Sequence, residues 1–248
     1  MQNNSSSTSG TSSNKTQYLI ASMTIGAALI VCALIVSHTA LKVKSLGQSI
    51  SVTGAAFKPI TSNYGIWSGT VSVTEPTLSV AYATITKDMQ VARAFLNEEG
   101  YPDSSQKLSS VRIRRREDRN GTPLSYSLSQ TITIASDDVT RIATLANNAS
   151  GLIERGLELN SSNPRYLFTG LDSLKLQMIR AATENATLRA KQIAESTGRT
   201  VGSPVNARVG VFQIRPLHSQ SVSARGISDA SSIEKEIVST VHMSFLIE

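Results

Sequence analysis

The hydrophobic pattern of the chain begins with one continuous apolar run. Residues Tyr18 to Val36, YLIASMTIGAALIVCALIV, carry no charged side chain. At 1.5 Å rise per residue a helix of this length spans roughly 28 Å, close to the hydrocarbon thickness of a bilayer. A cleaved signal peptide is the alternative, but its apolar region is usually shorter, and Ser37-His38-Thr39-Ala40 is a poor cleavage site. The pattern therefore predicts a transmembrane signal anchor over residues 18–37.

The segments on either side of this run are polar. Residues 1–17 are rich in Ser, Thr and Asn with one charged side chain, Lys15, and we expect a disordered tail because they cannot bury enough apolar surface to fold. Residues 38–47 are expected to form a juxtamembrane linker. Lys42 and Lys44 on this side balance Lys15 and the amino terminus on the other, so charge alone does not choose the orientation.

The chain after residue 47 alternates between strand-like and helix-like patterns. Ser49 to Gly54 and Tyr64 to Val73 alternate apolar and polar residues, which predicts two strands, the second with Trp67 on its apolar side. A helix then opens at Pro76-Thr77 and ends before Gly100. Its apolar residues recur at spacings of three and four: Leu78, Tyr82, Ile85, Met89, Ala92 and Leu96.

The next segment predicts a β-hairpin followed by a helix. Lys107 to Arg116 and Leu124 to Ile134 are strand-like and flank Asn120-Gly121, a pair that supplies positive-φ residues for a hairpin turn. A second helix is expected to start at the Asp137-Asp138 cap, and a short strand follows from Tyr166 to Phe168.

The last third of the chain predicts one long helix and two strands. The helix runs from a cap at Asp172 to near Thr197, with Gly198 placed to end it. It carries small residues at four-residue spacing, which predicts close approach to the sheet or to a neighbouring helix: Ala182, Ala186, Ala190 and Ala194. Two strands, Val205 to Ile214 and Ile233 to Ile247, complete the pattern.

This order of elements is typical of an α+β domain. We expect amphipathic helices packed on a mixed, mainly antiparallel β-sheet over residues 48–248, preceded by one transmembrane helix. The composition, 40% hydrophobic and 17% charged, is ordinary for a chain with a packed core. The formal net charge of +6 is spread along the chain, so a mildly basic solvated surface explains it and we expect no nucleic-acid partner.

The residues able to carry chemistry form no recognised catalytic or metal-binding pattern. Cys32, the one cysteine, lies in the apolar run, so the folded domain has neither a disulfide nor a thiol nucleophile. His38, His218 and His242 have no partner at metal-ligand spacing, and the chain contains no glycine-rich phosphate loop and no serine elbow. We therefore expect no cofactor, no metal and no enzymatic activity.

A row of arginines is the sharpest candidate for a functional surface. On a strand, Arg112, Arg114 and Arg116 project to one side, and Arg119 follows closely. Such a row is able to contact anionic lipid, a wall polymer or an acidic face of another subunit. Arginines that protect an exposed strand edge from pairing are the simpler explanation.

Several segments resemble the SIMPL-domain family, in the family's order. The stretch from Ala182 to Gly202, ATENATLRAKQIAESTGRTVG, resembles its most recognisable motif, and Ile50 to Gly54 is similar to its first strand. The Trp67 strand and Tyr166 to Thr169 are similar to one bacterial branch, and Ile237 to Phe245 is similar to the closing strand. The resemblance covers essentially the whole folded domain.

That resemblance implies a bacterial envelope protein whose folded domain lies on the outer side of the cytoplasmic membrane. Orientation, which charge leaves open, is thereby chosen by analogy. Similar proteins include a periplasmic immunogenic protein described as a large ring-like or channel-like oligomer, and members linked to oxidative-stress tolerance. The family has no agreed catalytic residues, so none is transferred.

Two functions fit these observations. The first, which we favour, is a noncatalytic, membrane-anchored envelope protein that self-assembles into a homo-oligomer and supports envelope integrity or stress tolerance. The second is a sensor that captures a small-molecule ligand, a peptide or an envelope protein in a pocket beside Trp67 and Tyr82. An enzyme is a distant third, because it needs convergent polar side chains in a deep pocket.

Overall fold

The computed structural model describes residues 22–23, 25–39 and 48–248. Residues 22–23 and 25–39 are helical, and we call this helix α1. Within the described ranges, no helix is both long enough and apolar enough to cross a membrane. The predicted tail, residues 1–17, lies outside the described residues, as do part of the predicted anchor and residues 40–47 of the predicted linker.

The region from residue 48 onward contains helices and strands in the mixed order that the sequence predicts. The helices are α2 (Leu78–Glu98), α3 (Val139–Asn148), α4 (Gly151–Glu154) and α5 (Leu171–Ser196), with a short 3-10 turn at Asp103–Ser105. The strands are β1 (Ser49–Thr61), β2 (Tyr64–Glu75), β3 (Gln106–Leu108), β4 (Arg112–Glu117), β5 (Pro123–Ser136), β6 (Leu159–Ser161), β7 (Arg165–Leu167), β8 (Val201–Val209), β9 (Gln213–Pro216), β10 (Ile227–Ser228) and β11 (Glu234–Ile247). The α+β class is confirmed.

The strands belong to two sheets and not to one. A five-stranded sheet has the order β1-β11-β9-β10, with β8 also paired to β11. A six-stranded sheet has the order β3-β5-β2-β6, with β4 also paired to β5 and β7 to β2. Within the six-stranded sheet the described pairs are antiparallel, whereas β9 and β10 are parallel. The mixed, mainly antiparallel character is therefore confirmed, but the division into two sheets depends on distant pairings that alternation does not encode.

Packing divides the chain into two compact units. The larger unit consists of Thr53–Leu188 and Arg208–His242, and contains the six-stranded sheet with α2, α3 and α4. The smaller unit consists of Arg189–Ala207, Met243–Glu248 and the described part of Met1–Val52. All candidate surface and pocket residues named from the sequence lie in the larger unit.

Helix α2 covers one face of the six-stranded sheet. Thr77 is its N-cap, with the side chain accepting a hydrogen bond from the amide of Val80, and Gly100 follows its end at φ +85°. The buried residues are Ala81, Ile85, Met89, Ala92, Phe95 and Leu96. The predicted stripe was wrong at its start, because Leu78 and Tyr82 are 42% and 58% exposed and the smaller Ala81 packs on the sheet instead.

The core of the larger unit lies between this face of the sheet and the helices. Alternate residues of β2 and β5 point into it and are buried: Trp67, Val71, Val73, Leu128, Ile132 and Ile134. Ile142 and Leu145 of α3 and Leu152 of α4 also belong to this cluster. The intervening residues of β2 and β5 point to the opposite side of the sheet, which we call the outer face.

The predicted hairpin is present, with two differences. The run from Lys107 to Arg116 is divided into β3 and β4, and only Gly121 of the Asn-Gly pair has positive φ, at +81°. Asp118 organises the turn, because its Oδ1 accepts hydrogen bonds from the backbone amides of Asn120 and Thr122, both at 2.8 Å.

Helix α5 places its predicted small residues against β1. A Cβ on Gly54 would overlap the backbone carbonyl of Ala182 and the backbone amide of Ala186, so the close approach predicted from these alanines is confirmed. Gly198 follows the helix at φ +71° as predicted, whereas Asp172 lies in the first turn and not at a cap. The predicted strand from Val205 to Ile214 is divided into β8 and β9.

Candidate functional site

Strand β4 carries the predicted arginine row at an edge of the six-stranded sheet. Among the described residues β5 is its only partner strand, and all six of its residues are exposed. The register sets Arg112, Arg114 and Arg116 opposite Ser129, Ser127 and Ser125. Because directly opposite residues share a face, the three arginines lie on the outer face, as the alternation predicts.

The fourth predicted residue of this surface lies just beyond the strand. Arg119 is exposed in the turn that Asp118 organises, so the structure places it beside the row and not within it. The intervening Arg115 points to the other side of β4 and forms an ion pair with Glu117. The row itself therefore consists of three outward arginines.

Hydroxyl side chains cover the outer face next to the arginines. The outward residues of β2 from 68 to 74 and of β5 from 125 to 133 are all Ser or Thr. Three cross-strand pairs are hydrogen-bonded: Ser68 to Thr133 at 3.0 Å, Thr70 to Thr131 at 2.8 Å and Thr74 to Ser127 at 3.2 Å. Each hydroxyl keeps acceptor or donor capacity toward solvent, so this face is able to bind polar groups along its length.

The two residues of the predicted pocket differ in exposure. Trp67 is fully buried in the core, and its Nε1 donates a hydrogen bond to Ser161 Oγ at 2.9 Å. Tyr82 is 58% exposed on α2.

A polar cleft lies at the β6 edge of the same sheet. Its volume is about 610 Å³, and it is lined by Ser72, Ala146, Ser150, Ile153, Glu158, Leu159, Asn160 and Ser161. Neither Trp67 nor Tyr82 is part of this lining, but Ser161 links the cleft to the Trp67 indole. The combination of one carboxylate with amide and hydroxyl groups suits a polar ligand.

A buried lysine is the centre of a polar cluster in the larger unit. Lys235 of β11 is 1% exposed, and its Nζ donates hydrogen bonds to the backbone carbonyls of Tyr166 and Asp229, both at 2.6 Å. The Asp229 carboxylate lies 3.8 Å away and accepts hydrogen bonds from Ser231 and Ser232. The ammonium group therefore joins β7 to the segment that precedes β11.

The environment shifts the pKa of both charged groups in this cluster. Burial lowers the pKa of the Lys235 ammonium from its ordinary value, and attraction to Asp229 opposes that change. Burial acts to raise the pKa of Asp229, but the hydrogen bonds from Ser231 and Ser232 outweigh it and the pKa is lowered. The hydrogen bonds of both groups go to backbone carbonyls, backbone amides and a neighbouring hydroxyl, so the cluster holds these chain segments together.

The sequence of the folded domain also matches the model of a known protein family. A family model described as SIMPL, a protein of unknown function (DUF541), matches residues 50–245. The chain belongs to the SIMPL family. The resemblance carried by the α5 motif and the two terminal strands is thereby confirmed. No curated protein matches the chain.

Some residues of this SIMPL domain were missed by sequence reasoning. Lys235 was overlooked because it reads as a surface charge, yet the alternation that buries Ile237 and Val241 in β11 also places Lys235 on the inner side. The cleft residues were missed because β6 has only three residues, too few for a strand pattern. Among the described residues there is no group of three or more His, Cys, Asp or Glu that could hold a metal ion.

Proposed function

We propose that this protein is a noncatalytic SIMPL domain anchored in the cytoplasmic membrane, with the folded domain on the outer side. In this proposal it self-assembles and supports the integrity or stress tolerance of the cell envelope. The observation that carries the proposal is the exposure of every large apolar side chain described in α1.

The apolar side chains of α1 are found all around the helix. The exposed fractions of the eight largest range from 54% to 79%: Met23, Ile25, Leu29, Ile30, Val31, Leu34, Ile35 and Val36. A helix that is apolar on all sides requires an apolar environment, and burying each such side chain is worth about 1.5–3 kcal/mol. A bilayer supplies that environment when the helix belongs to the longer run Tyr18 to Val36.

A noncatalytic role is supported by the way the polar groups of the larger unit are used. Lys235 and Asp229 hold neighbouring backbone segments together, and Asp118 holds the hairpin turn. The hydroxyls of β2 and β5 bond to one another across the sheet. These groups stabilise the fold and are not gathered at a reacting centre.

Self-assembly is supported by exposed apolar side chains on the folded domain. Leu176 and Leu188 of α5 are 72% and 55% exposed, although Leu174 and Met178 of the same helix are buried. A contact between copies that buried these leucines would be favourable, because it removes apolar surface from water. Pairing of two β4 edges is disfavoured, because four arginines in six residues bring like charges together.

The anchoring proposal is tested with the full chain expressed in bacterial cells. We expect it to remain with membranes after alkaline extraction, and to be released when Leu29 and Leu34 are both replaced by Arg. The control replaces Ser5 and Ser12 by Arg, which adds the same charge outside the apolar run. Release of the unmodified chain by alkali contradicts anchoring. External protease that leaves the domain intact in cells with a permeabilised outer membrane contradicts the orientation.

Assembly is tested by sedimentation of the purified full chain in detergent over a range of concentrations. We expect a mass above that of one 26.5 kDa chain, and a lower mass for Leu176→Glu and Leu188→Glu. The matched control is Gln90→Glu, which adds a charge at an exposed position of α2. A single-chain mass at every concentration contradicts self-assembly.

The polar cleft favours a second candidate function, that of a ligand sensor. Its volume of about 610 Å³ lies within the range of small-molecule sites, and Trp67 reports on it through Ser161. Ligand screening by thermal stabilisation, with Trp67 fluorescence as the second readout, tests this function. A ligand that stabilises the chain but not a Glu158→Gln, Asn160→Ala variant favours sensing.

A further inference from the structure

We infer that the outer face of the six-stranded sheet docks on anionic lipid headgroups of the membrane that holds the anchor. This inference rests on the proposed anchoring. It follows from the charge pattern of the face, from the absence of neutralising partners among the described residues, and from the short tether between α1 and β1.

The outer face carries two cations besides the arginine row. Lys107 of β3 lies opposite Thr133, and Arg165 of β7 lies opposite Ile66, so both share the face with the row. All five cationic residues are exposed: Lys107, Arg112, Arg114, Arg116 and Arg165. None of the outward positions of β2, β3, β5, β6 and β7, or of β4 up to Arg116, is Asp or Glu, and Glu117 follows an irregularity in the pairing of β4 with β5.

The carboxylates near these strands leave the row unopposed. Glu117 is engaged by Arg115, and Asp118 accepts hydrogen bonds from the turn amides. Glu158, the residue before β6, lies three strands from β4, roughly 14 Å at the usual strand spacing. Among the described residues, the side chains of these five residues form no hydrogen bond and no ion pair.

This pattern fits an extended anionic surface better than a single ligand. Successive arginines of the row are roughly 7 Å apart along β4, and the neighbouring hydroxyls are able to donate hydrogen bonds to phosphate oxygens. Guanidinium groups bind phosphates with two parallel hydrogen bonds. A second copy placed face to face is excluded as the occupant, because it would oppose five cations with five.

The tether favours the membrane over a soluble polymer as the source of these phosphates. Residues 40–47 separate α1 from the first described residue of the folded domain, and eight residues span at most roughly 28 Å when extended. The folded domain therefore stays close to the bilayer in which the anchor lies.

The test measures whether the outer face approaches headgroups in the reconstituted full chain. Cys32 is replaced by Ser, and a fluorophore is attached at Thr74→Cys, an exposed outer-face position. The protein is reconstituted in vesicles of phosphatidylcholine, with or without phosphatidylglycerol, that contain a lipid with a quencher on its headgroup. A second labelled protein carries the fluorophore at Gln90→Cys, an exposed position of α2.

We expect quenching at Thr74→Cys only in the vesicles that contain phosphatidylglycerol, and no quenching at Gln90→Cys. Each cation near such a surface contributes about fivefold to the docking equilibrium, so Arg112→Gln, Arg114→Gln and Arg116→Gln together are expected to weaken docking about 100-fold. High salt, which shortens the Debye length to about 3 Å at 1 M, is expected to reduce the quenching as well. The charge-matched control replaces Lys87, Arg180 and Arg225 by Gln, and it retains the quenching because these exposed cations lie outside the face.

The outcomes separate this inference from the proposed anchoring. Flotation with phosphatidylcholine vesicles reports the anchor, whatever the face does. Flotation without quenching in either lipid overturns the docking and leaves anchoring intact. A response to soluble polyphosphate, without one to anionic vesicles, overturns the lipid assignment in favour of a free polyanion. Quenching in anionic vesicles by a chain that fails to float with neutral ones supports docking and contradicts anchoring.

Discussion

Replacement of the buried lysine, Lys235→Met, tests whether its ammonium group holds two chain segments together. Methionine fills a similar volume but donates no hydrogen bond. The carbonyl oxygens of Tyr166 and Asp229 would each lose a donor at 2.6 Å, and the Asp229 carboxylate would lose its nearest cation. The substitution therefore isolates the polar function of the side chain from its packing.

The size of the effect follows from the groups left without partners. An unsatisfied buried acceptor costs about 1–3 kcal/mol, and Lys235 serves two of them. Relief of the burial cost of the ammonium offsets part of this loss. We expect the free energy of unfolding to fall by about 2–4 kcal/mol near neutral pH.

The pH dependence of the difference gives a second, independent check. Burial lowers the pKa of Lys235 in the folded protein below its ordinary value of 10.5. As pH rises from the lowered pKa of the folded protein to the ordinary pKa of the unfolded chain, the folded chain releases a proton that the unfolded chain retains. The free energy of unfolding of the original protein therefore increases over this range. The difference in the free energy of unfolding between the original protein and Lys235→Met should therefore increase with pH, by at most about 1.4 kcal/mol per pH unit.

The assay is urea unfolding of the full chain in detergent, followed through the fluorescence of Trp67, the one tryptophan. Ser239→Ala is the matched control, because Ser239 is also fully buried in β11 and its Oγ has no partner among the described residues. We expect this control to be neutral or stabilising. Equal unfolding midpoints for the original protein and Lys235→Met, or a gap that narrows with rising pH, would refute the reasoning.

Three further substitutions test contacts elsewhere in the larger unit. Gly54→Ala should lower stability by about 3 kcal/mol or more, measured by urea unfolding, because the added methyl group overlaps the backbone of Ala182. Asp138→Ala should cost about 1 kcal/mol in the same assay, since its side chain accepts a hydrogen bond from the first turn of α3. Ser161→Ala should shift the emission of Trp67 to shorter wavelength, because the buried indole loses its hydrogen-bond acceptor.

Each of these substitutions has a control in the same chain. Gly121→Ala, in a turn with open space around it, should cost only about 1–2 kcal/mol from its positive φ. Asp137→Ala removes an exposed carboxylate next to the cap and should leave stability nearly unchanged. Ser150→Ala changes the cleft lining without touching the indole, and should leave the emission in place. An equal response of a substitution and its control would contradict the contact assigned to it.

The local elements were predictable where a short-range signal exists. The N-cap at Thr77, the glycine at residue 100 and the Asp138 cap bound their helices as expected, because capping depends on neighbouring backbone groups. The alternation in β4 also placed Arg112, Arg114 and Arg116 on one face. These signals act within a few residues and are therefore visible in a single sequence.

Prediction from the sequence failed where the neighbouring residues fit two interpretations of the same pattern equally well. In α2 the spacing that leads to Ile85 fits Leu78 and Tyr82 as well as Ala81, and contact with the sheet decided for Ala81. Lys235 continues an apolar alternation yet carries a charge, so its burial depends in part on the carbonyl of Tyr166, 69 residues away in the chain. Neither outcome is encoded in the neighbouring residues.

The sequence by itself determined the α+β class, the family, most helix and strand positions, and the presence of one long apolar run before the folded domain. The spacing of apolar residues and helix capping depend on nearby residues, so they can be recognised in the sequence without a structure. Only the tertiary structure decided that the strands form two sheets, that Trp67 is buried whereas Tyr82 is exposed, and that Lys107 and Arg165 join the arginine row on one face. The physical reason is that strand pairing and register bring together residues far apart in the chain, and a one-residue change of register would move each of them to the other face.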